Sequence, residues 1–157
     1  MSSLTIPKAL WIEILNILRL RSAGYRESGA ILLGEIGPMG DRTARRAVPY
    51  HELDDDSASA DYVELSEIGK YRLYRLIEQN KLRIIAMSHT HPYKWVGLSP
   101  VDQANQISSR VGFWSIVIPN FCREPWEVQH MGFHIREGRG WRQLDSKLRE
   151  QLFKIGG

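Results

Sequence analysis

The chain has 157 residues and a mass of 18.1 kDa, with 43% hydrophobic and 25% charged residues. This length and composition suit one globular domain over residues 1–157, and they exclude a disordered chain, a collagen-like repeat or a Cys-rich scaffold. The 21 Lys and Arg residues against 18 Asp and Glu residues leave a net charge of +3. Because this excess is small and forms no basic tract, it does not indicate a nucleic-acid partner, and we expect none.

Cysteine content and hydropathy bear on the cellular compartment. Cys122 is the only cysteine, so neither an intrachain disulfide nor a zinc cluster of cysteines can form. No apolar stretch approaches the roughly 18 residues that span a bilayer. Charges at Lys8, Glu13 and Arg19 interrupt the N-terminal apolar residues, which is not typical of a signal peptide. We therefore expect a cytoplasmic protein that has no membrane partner.

The first third of the chain predicts a helix followed by two strands. Apolar residues recur at helical spacing over residues 7–20, and Pro7 suits the first turn of a helix. Residues 28–36 are typical of a buried strand, and the turn after them favours an antiparallel return over residues 42–50. We place the arginines of this second strand on its solvated face: Arg42, Arg45 and Arg46.

The remaining segments continue to mix helices with strands. An acidic, polar loop begins at residue 51, and a helix follows over residues 65–80. The later elements are predicted in this order: a strand at 82–89, a helix at 99–110, a strand at 113–118, a hairpin within 126–144 and a short helix within 145–155. This mixture predicts an α/β domain that is built on one central sheet.

Two histidines lie at the end of the strand predicted at 82–89. His89 and His91 are two residues apart, and the period of two in a strand directs both imidazoles to the same side. Asp102 follows in the first turn of the next predicted helix, so two nitrogens and one carboxylate oxygen can face one point. Together with a water molecule, such ligands are typical of an open, catalytic zinc site. We therefore predict that His89, His91 and Asp102 bind Zn²⁺, which lowers the pKa of bound water to roughly 7.

A hydrolytic metal site also needs a proton carrier and a hydrogen-bond donor for the oxyanion. Glu27 immediately precedes the Ser28-Gly29 entry into the first buried strand, and it is the candidate general acid and base. Ser99 is the candidate donor to the oxyanion of a tetrahedral intermediate. These two residues complete the predicted catalytic set.

The five residues form a pattern that resembles the JAMM motif of the JAB/MPN metalloprotease superfamily. That motif consists of a Glu, then His-Ser/Thr-His, seven residues, Ser, two residues and Asp. This chain has Glu27, His89-Thr90-His91, seven residues, Ser99, two residues and Asp102. Glu27 also begins the segment Glu-Ser-Gly-Ala-Ile-Leu-Leu-Gly, which is similar to the usual surroundings of the family's Glu. The matched span, residues 27–110, covers about half of the chain.

The resemblance implies a fold, an activity and a substrate class. It implies a single JAB/MPN domain of the cytidine-deaminase-like type, with a mixed central sheet flanked by helices. It also implies zinc-dependent cleavage of a peptide or isopeptide bond after the C-terminal glycine of a ubiquitin-like protein, which makes conjugation enzymes expected partners. Short bacterial members of the superfamily act in antiphage operons or process sulfur-carrier proteins, and the residues do not choose between these pathways.

Two other interpretations stay open at this point. Ser99-Pro100-Val101-Asp102 has the residues of a helix capping box, and an Asp102 that binds zinc is not expected to serve fully as a cap. A JAB-fold protein can also be a non-catalytic scaffold or interaction subunit, although such members typically lack ligands that this chain retains.

Several residues with reactive or aromatic side chains lie outside the pattern. Trp95 lies in the loop between the predicted ligands and is a candidate for substrate contact. Cys122 is interpreted as a small buried hydrophobe rather than a nucleophile. The histidines with no match in the pattern are interpreted as surface or core residues: His51, His130 and His134.

Overall fold

A computed structural model describes residues 1–54 and 65–156, which contain eight strands and five α-helices. The strands are β1 (Ser3–Ile6), β2 (Gly29–Ile36), β3 (Asp41–Pro49), β4 (Arg83–Thr90), β5 (Trp114–Ile118), β6 (Gly132–Arg136), β7 (Trp141–Gln143) and β8 (Phe153–Ile155). The helices are α1 (Lys8–Ser22), α2 (Tyr50–Leu53), α3 (Glu67–Asn80), α4 (Pro100–Ala104) and α5 (Ser146–Leu152). Within these ranges, no helix has both the length and the apolar character needed to cross a membrane.

All eight strands belong to one mixed sheet, whose order is β7-β6-β5-β4-β2-β3-β1-β8. Strand β2 pairs antiparallel with both β3 and β4, whereas β4 and β5 are parallel. Strand β1 is parallel to both of its neighbours, β3 and β8. The structure therefore confirms the predicted α/β class and the mixed central sheet flanked by helices.

Helices cover both faces of this sheet and form two buried apolar clusters with it. On one face, Leu18 of α1 belongs to the same cluster as Leu32 of β2. On the other face, Leu73 of α3 belongs to the same cluster as Ile31 of β2. Because successive strand residues point to opposite faces, the continuous apolar run of β2 contributes to both clusters.

Two short strands were not predicted, and two predicted helices end earlier than expected. Strands β1 and β8 have four and three residues, which is too short for a strand pattern to be recognised. The helix predicted within 145–155 ends at Leu152, because the next three residues form β8 and pair with β1. The helix predicted at 99–110 ends at Ala104, and in the polar segment that follows the Ser108 hydroxyl accepts a hydrogen bond from the Arg110 N–H at 3.1 Å.

Helix α2 replaces the first residues of the predicted acidic loop. Tyr50 and Leu53 are three residues apart, and both bury their side chains in the cluster that includes α3. The short helix forms because this apolar pair can pack against the sheet. The rest of the predicted loop, from residue 55 onwards, falls in the segment 55–64, which lies outside the described residues.

Arg42 is buried rather than solvated, which corrects the expectation for the first arginine of β3. Its side chain is 6% exposed, and its Nη1 donates to the carbonyl of Ile85 at 3.1 Å. Ile85 is the residue skipped where the register between β2 and β4 shifts, so the guanidinium supplies a donor at this bulge. Burial lowers the pKa of Arg42 to about 10. Arg45 is exposed, as expected, and pairs with Glu35 at 3.4 Å.

The loop at residues 92–99 crosses so close to β6 that position 132 requires glycine. A Cβ atom added to Gly132 would clash with the backbone carbonyl of Val96 and would lie 2.9 Å from its Cβ. Gly138, in the turn between β6 and β7, has no heavy atom within 4 Å of such a Cβ. The two glycines therefore differ in the space around them.

We expect Gly132→Ala to lower the free energy of unfolding by about 1–3 kcal/mol, because the loop and β6 must move apart. Gly138→Ala is the matched control and should leave stability unchanged within about 0.5 kcal/mol. Urea unfolding at pH 7 measures both variants, and equal stability of the two would contradict the steric argument.

His134 of β6 is a buried imidazole outside the predicted site. It is 2% exposed, and its Nδ1–H donates to the carbonyl of Ser115 at 3.1 Å, since a carbonyl can only accept. Burial lowers the pKa of His134 from 6.5 to about 4, although the hydrogen bond to Ser115 opposes this change. The ring is therefore neutral in the folded protein at neutral pH.

This lowered pKa predicts a loss of stability in mild acid. Between pH 6.5 and about pH 4 the unfolded chain binds a proton at His134 that the folded protein does not bind. The free energy of unfolding should therefore fall by up to about 3 kcal/mol as the pH decreases through this window. His134→Asn keeps a donor near Ser115 but does not titrate, so its stability should depend less on pH. Parallel stability curves for the two proteins between pH 7 and pH 4.5 would contradict this.

Candidate metal centre

The end of β4 brings the two predicted imidazole ligands together. His89 is in the strand and His91 follows its last residue, so both rings point to the same side of the sheet edge. Their Nε2 atoms lie 3.1 Å apart, and both side chains are buried. The backbone N–H of His91 donates to the carbonyl of Ile118 at 2.9 Å, which extends the parallel pairing with β5 to this residue.

The carboxylate of Asp102 faces both imidazoles from the first turn of α4. Its Oδ2 lies 2.9 Å from Nε2 of His91, and its Oδ1 lies 3.4 Å from Nε2 of His89. Burial alone would raise the pKa of this carboxyl. Hydrogen bonds from the two histidines and from the Ser99 backbone N–H outweigh burial and hold the pKa of Asp102 well below its usual range. The carboxyl is therefore an anion at neutral pH.

The capping box of α4 is formed by the same residues. The Ser99 hydroxyl accepts from the Asp102 N–H at 3.0 Å, and Oδ2 of Asp102 accepts from the Ser99 N–H at 2.9 Å. The same oxygen, Oδ2, accepts the cap hydrogen bond and faces Nε2 of His91. The expectation that a zinc-bound Asp102 caps less fully stays a prediction. The cap fixes the orientation in which Asp102 faces the histidines.

Glu27 completes the buried group from the start of β2. Strands β2 and β4 are antiparallel, and Gly29 is paired with His89, so Glu27 lies just beyond the last strand pair. Its carboxylate is buried, and the ligand atoms of Glu27, His89, His91 and Asp102 all lie within 4.8 Å of one another. The structure therefore brings four of the five predicted site residues into one group, with Ser99 beside it.

The donor set fits a divalent metal ion. Two imidazole nitrogens and one carboxylate oxygen are the ligands that zinc takes in catalytic sites. Zinc bound tetrahedrally at about 2.0–2.1 Å separates its ligand atoms by about 3.3 Å. Here the two Nε2 atoms lie 3.1 Å apart, and each faces its own oxygen of Asp102, at 2.9 Å for His91 and 3.4 Å for His89. These side chains are thus positioned to hold such an ion with little rearrangement.

Trp95 orients one of the imidazoles, a role that the sequence did not predict. Its backbone carbonyl lies 2.8 Å from Nδ1 of His91. Because a carbonyl only accepts, Nδ1 must carry a hydrogen, which leaves Nε2 as the nitrogen that faces the buried group and is available to bind a metal ion. The indole also stacks on the His91 ring, with centroids 5.3 Å apart, and remains 59% exposed. Only the position of Trp95 between the ligands drew attention to it in the sequence.

The remaining candidate residues lie outside the group. His130 is exposed and pairs with Glu127 at 3.0 Å, while His134 is buried as described above. Cys122 is buried, its Sγ donates to the carbonyl of Leu15 at 3.3 Å, and burial raises the pKa of its thiol to about 12. These positions agree with the interpretation of each residue as a surface or core side chain.

A cavity of about 310 Å³ adjoins the segment that follows His91. Its walls are mainly apolar, and the charged side chains of Lys94, Arg123 and Glu127 also line it. None of the four residues of the buried group lines it. The narrow substrate channel that the resemblance implies therefore stays a prediction.

Comparison with known proteins supports this interpretation of the fold. No protein-family model matches the chain. Over 86 residues it is 27% identical to a Sinorhizobium fredii protein named probable metalloprotease y4jG. The match covers 54% of this chain and 52% of that protein, so the chain spans about half the length of the curated relative it matches.

Two solved structures are similar over almost the whole chain. Protein DSY2949 from Desulfitobacterium hafniense has a TM-score of 0.70 at 17% identity, covering 97% of this chain and 92% of its own. AF2198, a JAB1/MPN domain protein from Archaeoglobus fulgidus, has a TM-score of 0.51 at 14% identity, covering 98% and 99%. At these identities the likeness shows the fold. The chain therefore has a JAB/MPN-like fold, and its five-residue JAMM-like pattern places Glu27, His89, His91 and Asp102 in one buried group.

Proposed function

We propose that this protein is a zinc-dependent peptidase or isopeptidase that cleaves after the C-terminal glycine of a ubiquitin-like protein. The observation that carries the proposal is the buried group of Glu27, His89, His91 and Asp102, whose ligand atoms lie within 4.8 Å of one another. The curated relative named as a probable metalloprotease supports the hydrolytic class. The substrate class follows from the resemblance of the five-residue pattern to the JAMM motif.

His89, His91 and Asp102 would hold the zinc ion. When bound, such an ion activates a water molecule and polarises the carbonyl of the scissile bond. Among the protein's own groups, the Trp95 carbonyl fixes the His91 tautomer and the Ser99 N–H fixes the Asp102 carboxylate. Both contacts hold the ligands in place before substrate arrives, so little reorganisation is needed during the reaction.

Glu27 would carry the proton in this scheme. Its carboxylate lies against the three ligands, where it can take a proton from the attacking water and deliver it to the leaving amine. Ser99 would steady the oxyanion. Its oxygen accepts the Asp102 N–H, so its hydroxyl hydrogen can be donated to the substrate.

The biological setting belongs to the same proposal. A cytoplasmic enzyme that removes a ubiquitin-like protein from a conjugate, or processes its precursor, would work beside conjugation enzymes. The resemblance implies either of two settings, an antiphage operon or the processing of sulfur-carrier proteins, and the proposed cleavage after a C-terminal glycine suits both. The complete ligand set gives no support to a scaffold without catalysis.

Metal binding can be measured without knowing the substrate. We expect the purified protein to retain about one zinc ion per chain after dialysis, and His91→Ala to retain almost none. His130→Ala is the matched control, because this exposed histidine should not affect zinc content. Inductively coupled plasma mass spectrometry measures the metal, and equal zinc in both variants would exclude this site.

Catalysis tests the role of Glu27. We expect Glu27→Gln to retain its zinc while kcat for a ubiquitin-like protein extended past Gly-Gly falls by about 100- to 10,000-fold, since general acid–base catalysis is removed. Glu13→Gln changes an exposed carboxylate of α1 and should leave kcat unchanged. Cleavage by the wild-type protein should also stop in the presence of a chelator. Full activity of zinc-loaded Glu27→Gln would contradict the assignment.

A further inference from the structure

Three hydroxyl groups form a buried cluster on the opposite side of the sheet edge from the metal ligands. Ser22, at the end of α1, lies 2.7 Å from the Ser28 hydroxyl and 3.0 Å from that of Thr90. Ser28 follows Glu27 directly, and Thr90 stands between His89 and His91. Because strand residues alternate between faces, the cluster contacts α1 while Glu27 and the histidines face the other way.

Counting hydrogens fixes the direction of these bonds. The Ser28 hydroxyl donates to the carbonyl of Leu18 at 2.9 Å, which uses its one hydrogen. Ser22 must therefore donate to Ser28, and Thr90 must in turn donate to Ser22. The result is a directed chain from Thr90 through Ser22 and Ser28 to a helix carbonyl, in which each hydroxyl donates once.

The same threonine changes the backbone pairing beside Glu27. In a regular antiparallel pair, Ser28 and Thr90 would exchange two bonds between backbone groups. The Thr90 N–H does donate to the Ser28 carbonyl at 3.0 Å, but the Ser28 N–H donates to Oγ1 of Thr90 at 2.9 Å. Since the Ser28 N–H belongs to the peptide group that joins it to Glu27, the Thr90 hydroxyl sets the orientation of that peptide.

We propose that Thr90, Ser22 and Ser28 are positioning residues that hold the Glu27 carboxylate against the metal ligands. This inference rests on the proposed function of Glu27 as proton carrier. Glu27 lies beyond the last regular pair of β2 with β4, so the strand ladder alone does not fix it. The hydroxyl chain ties this end of β2 both to the strand of the histidines and to α1.

Thr90→Val is the direct test, because it keeps the shape of the side chain and removes the donor and the acceptor. We expect zinc content to stay at about one per chain, KM to stay within about twofold and kcat to fall about 10- to 100-fold, as for a misplacement near 1 Å. Thr90→Ser keeps the hydroxyl and should restore kcat. Ser88→Ala is the matched control, since this buried hydroxyl on the same face of β4 makes only a long contact of 3.4 Å.

Crystal structures of the zinc-loaded variants provide a measurement that is independent of activity. The Glu27 carboxylate should move relative to His89 in Thr90→Val and stay in place in Thr90→Ser and Ser88→Ala. If Thr90→Val does not fold, Ser22→Ala interrupts the chain while Thr90 can still accept the Ser28 N–H. An unmoved Glu27 in the variant that breaks the chain overturns the inference. A wild-type protein that cleaves nothing would count against the proposed function, and the displacement of Glu27 would still decide the role of the hydroxyls.

Discussion

The antiparallel pairing of β2 with β4 is the constraint on which the buried site depends. Antiparallel neighbours bring the start of one strand beside the end of the other, so Glu27 and the pair His89 and His91 meet although more than 60 residues separate them. The alternation of side chains then sorts the residues by face. Glu27 and the histidines point towards α4, whereas Ser28 and Thr90 point towards α1. The pair β2 and β4 thus carries the predicted catalytic and metal-binding residues on one face and the hydroxyl groups of Ser28 and Thr90 on the other.

The position of Asp102, the third predicted metal ligand, depends on local rather than long-range structure. Ser99 and Asp102 would start a helix in almost any setting, because their reciprocal bonds satisfy two N–H groups of its first turn. Here that cap also limits the carboxylate to one orientation, in which Oδ2 faces His91. Burying an anion beside two imidazoles is costly unless its charge is balanced, and hydrogen bonds to the carboxylate provide part of that balance. A bound divalent cation would provide the rest.

The parts of this molecule that were predictable from sequence are those set by short-range pattern. The strand at 82–89, the spacing of His89 and His91, and the helix start at Ser99 all follow from local periodicity and capping. Strands β1 and β8 were not predictable, because they are short and are stabilised by parallel partners distant in sequence. The burial of Arg42 was not predictable either, because its guanidinium donates to the Ile85 carbonyl where the register between two other strands, β2 and β4, shifts. The role of the Trp95 carbonyl depends on a loop conformation that no residue type dictates.

The backbone around His91 indicates a rigid site rather than an adaptable one. Three successive residues without glycine, Asn120, Phe121 and Cys122, adopt left-handed φ angles of 56°, 54° and 61°. Such conformations cost about 1–3 kcal/mol each in functional loops and persist only where the surroundings enforce them. Here the Phe121 N–H donates to the His91 carbonyl at 2.8 Å, and the Asn120 N–H donates to the Tyr93 carbonyl at 3.0 Å. The strained turn therefore fixes the backbone at His91, and the Trp95 carbonyl fixes the His91 ring. Together these contacts hold the His91 imidazole in one orientation.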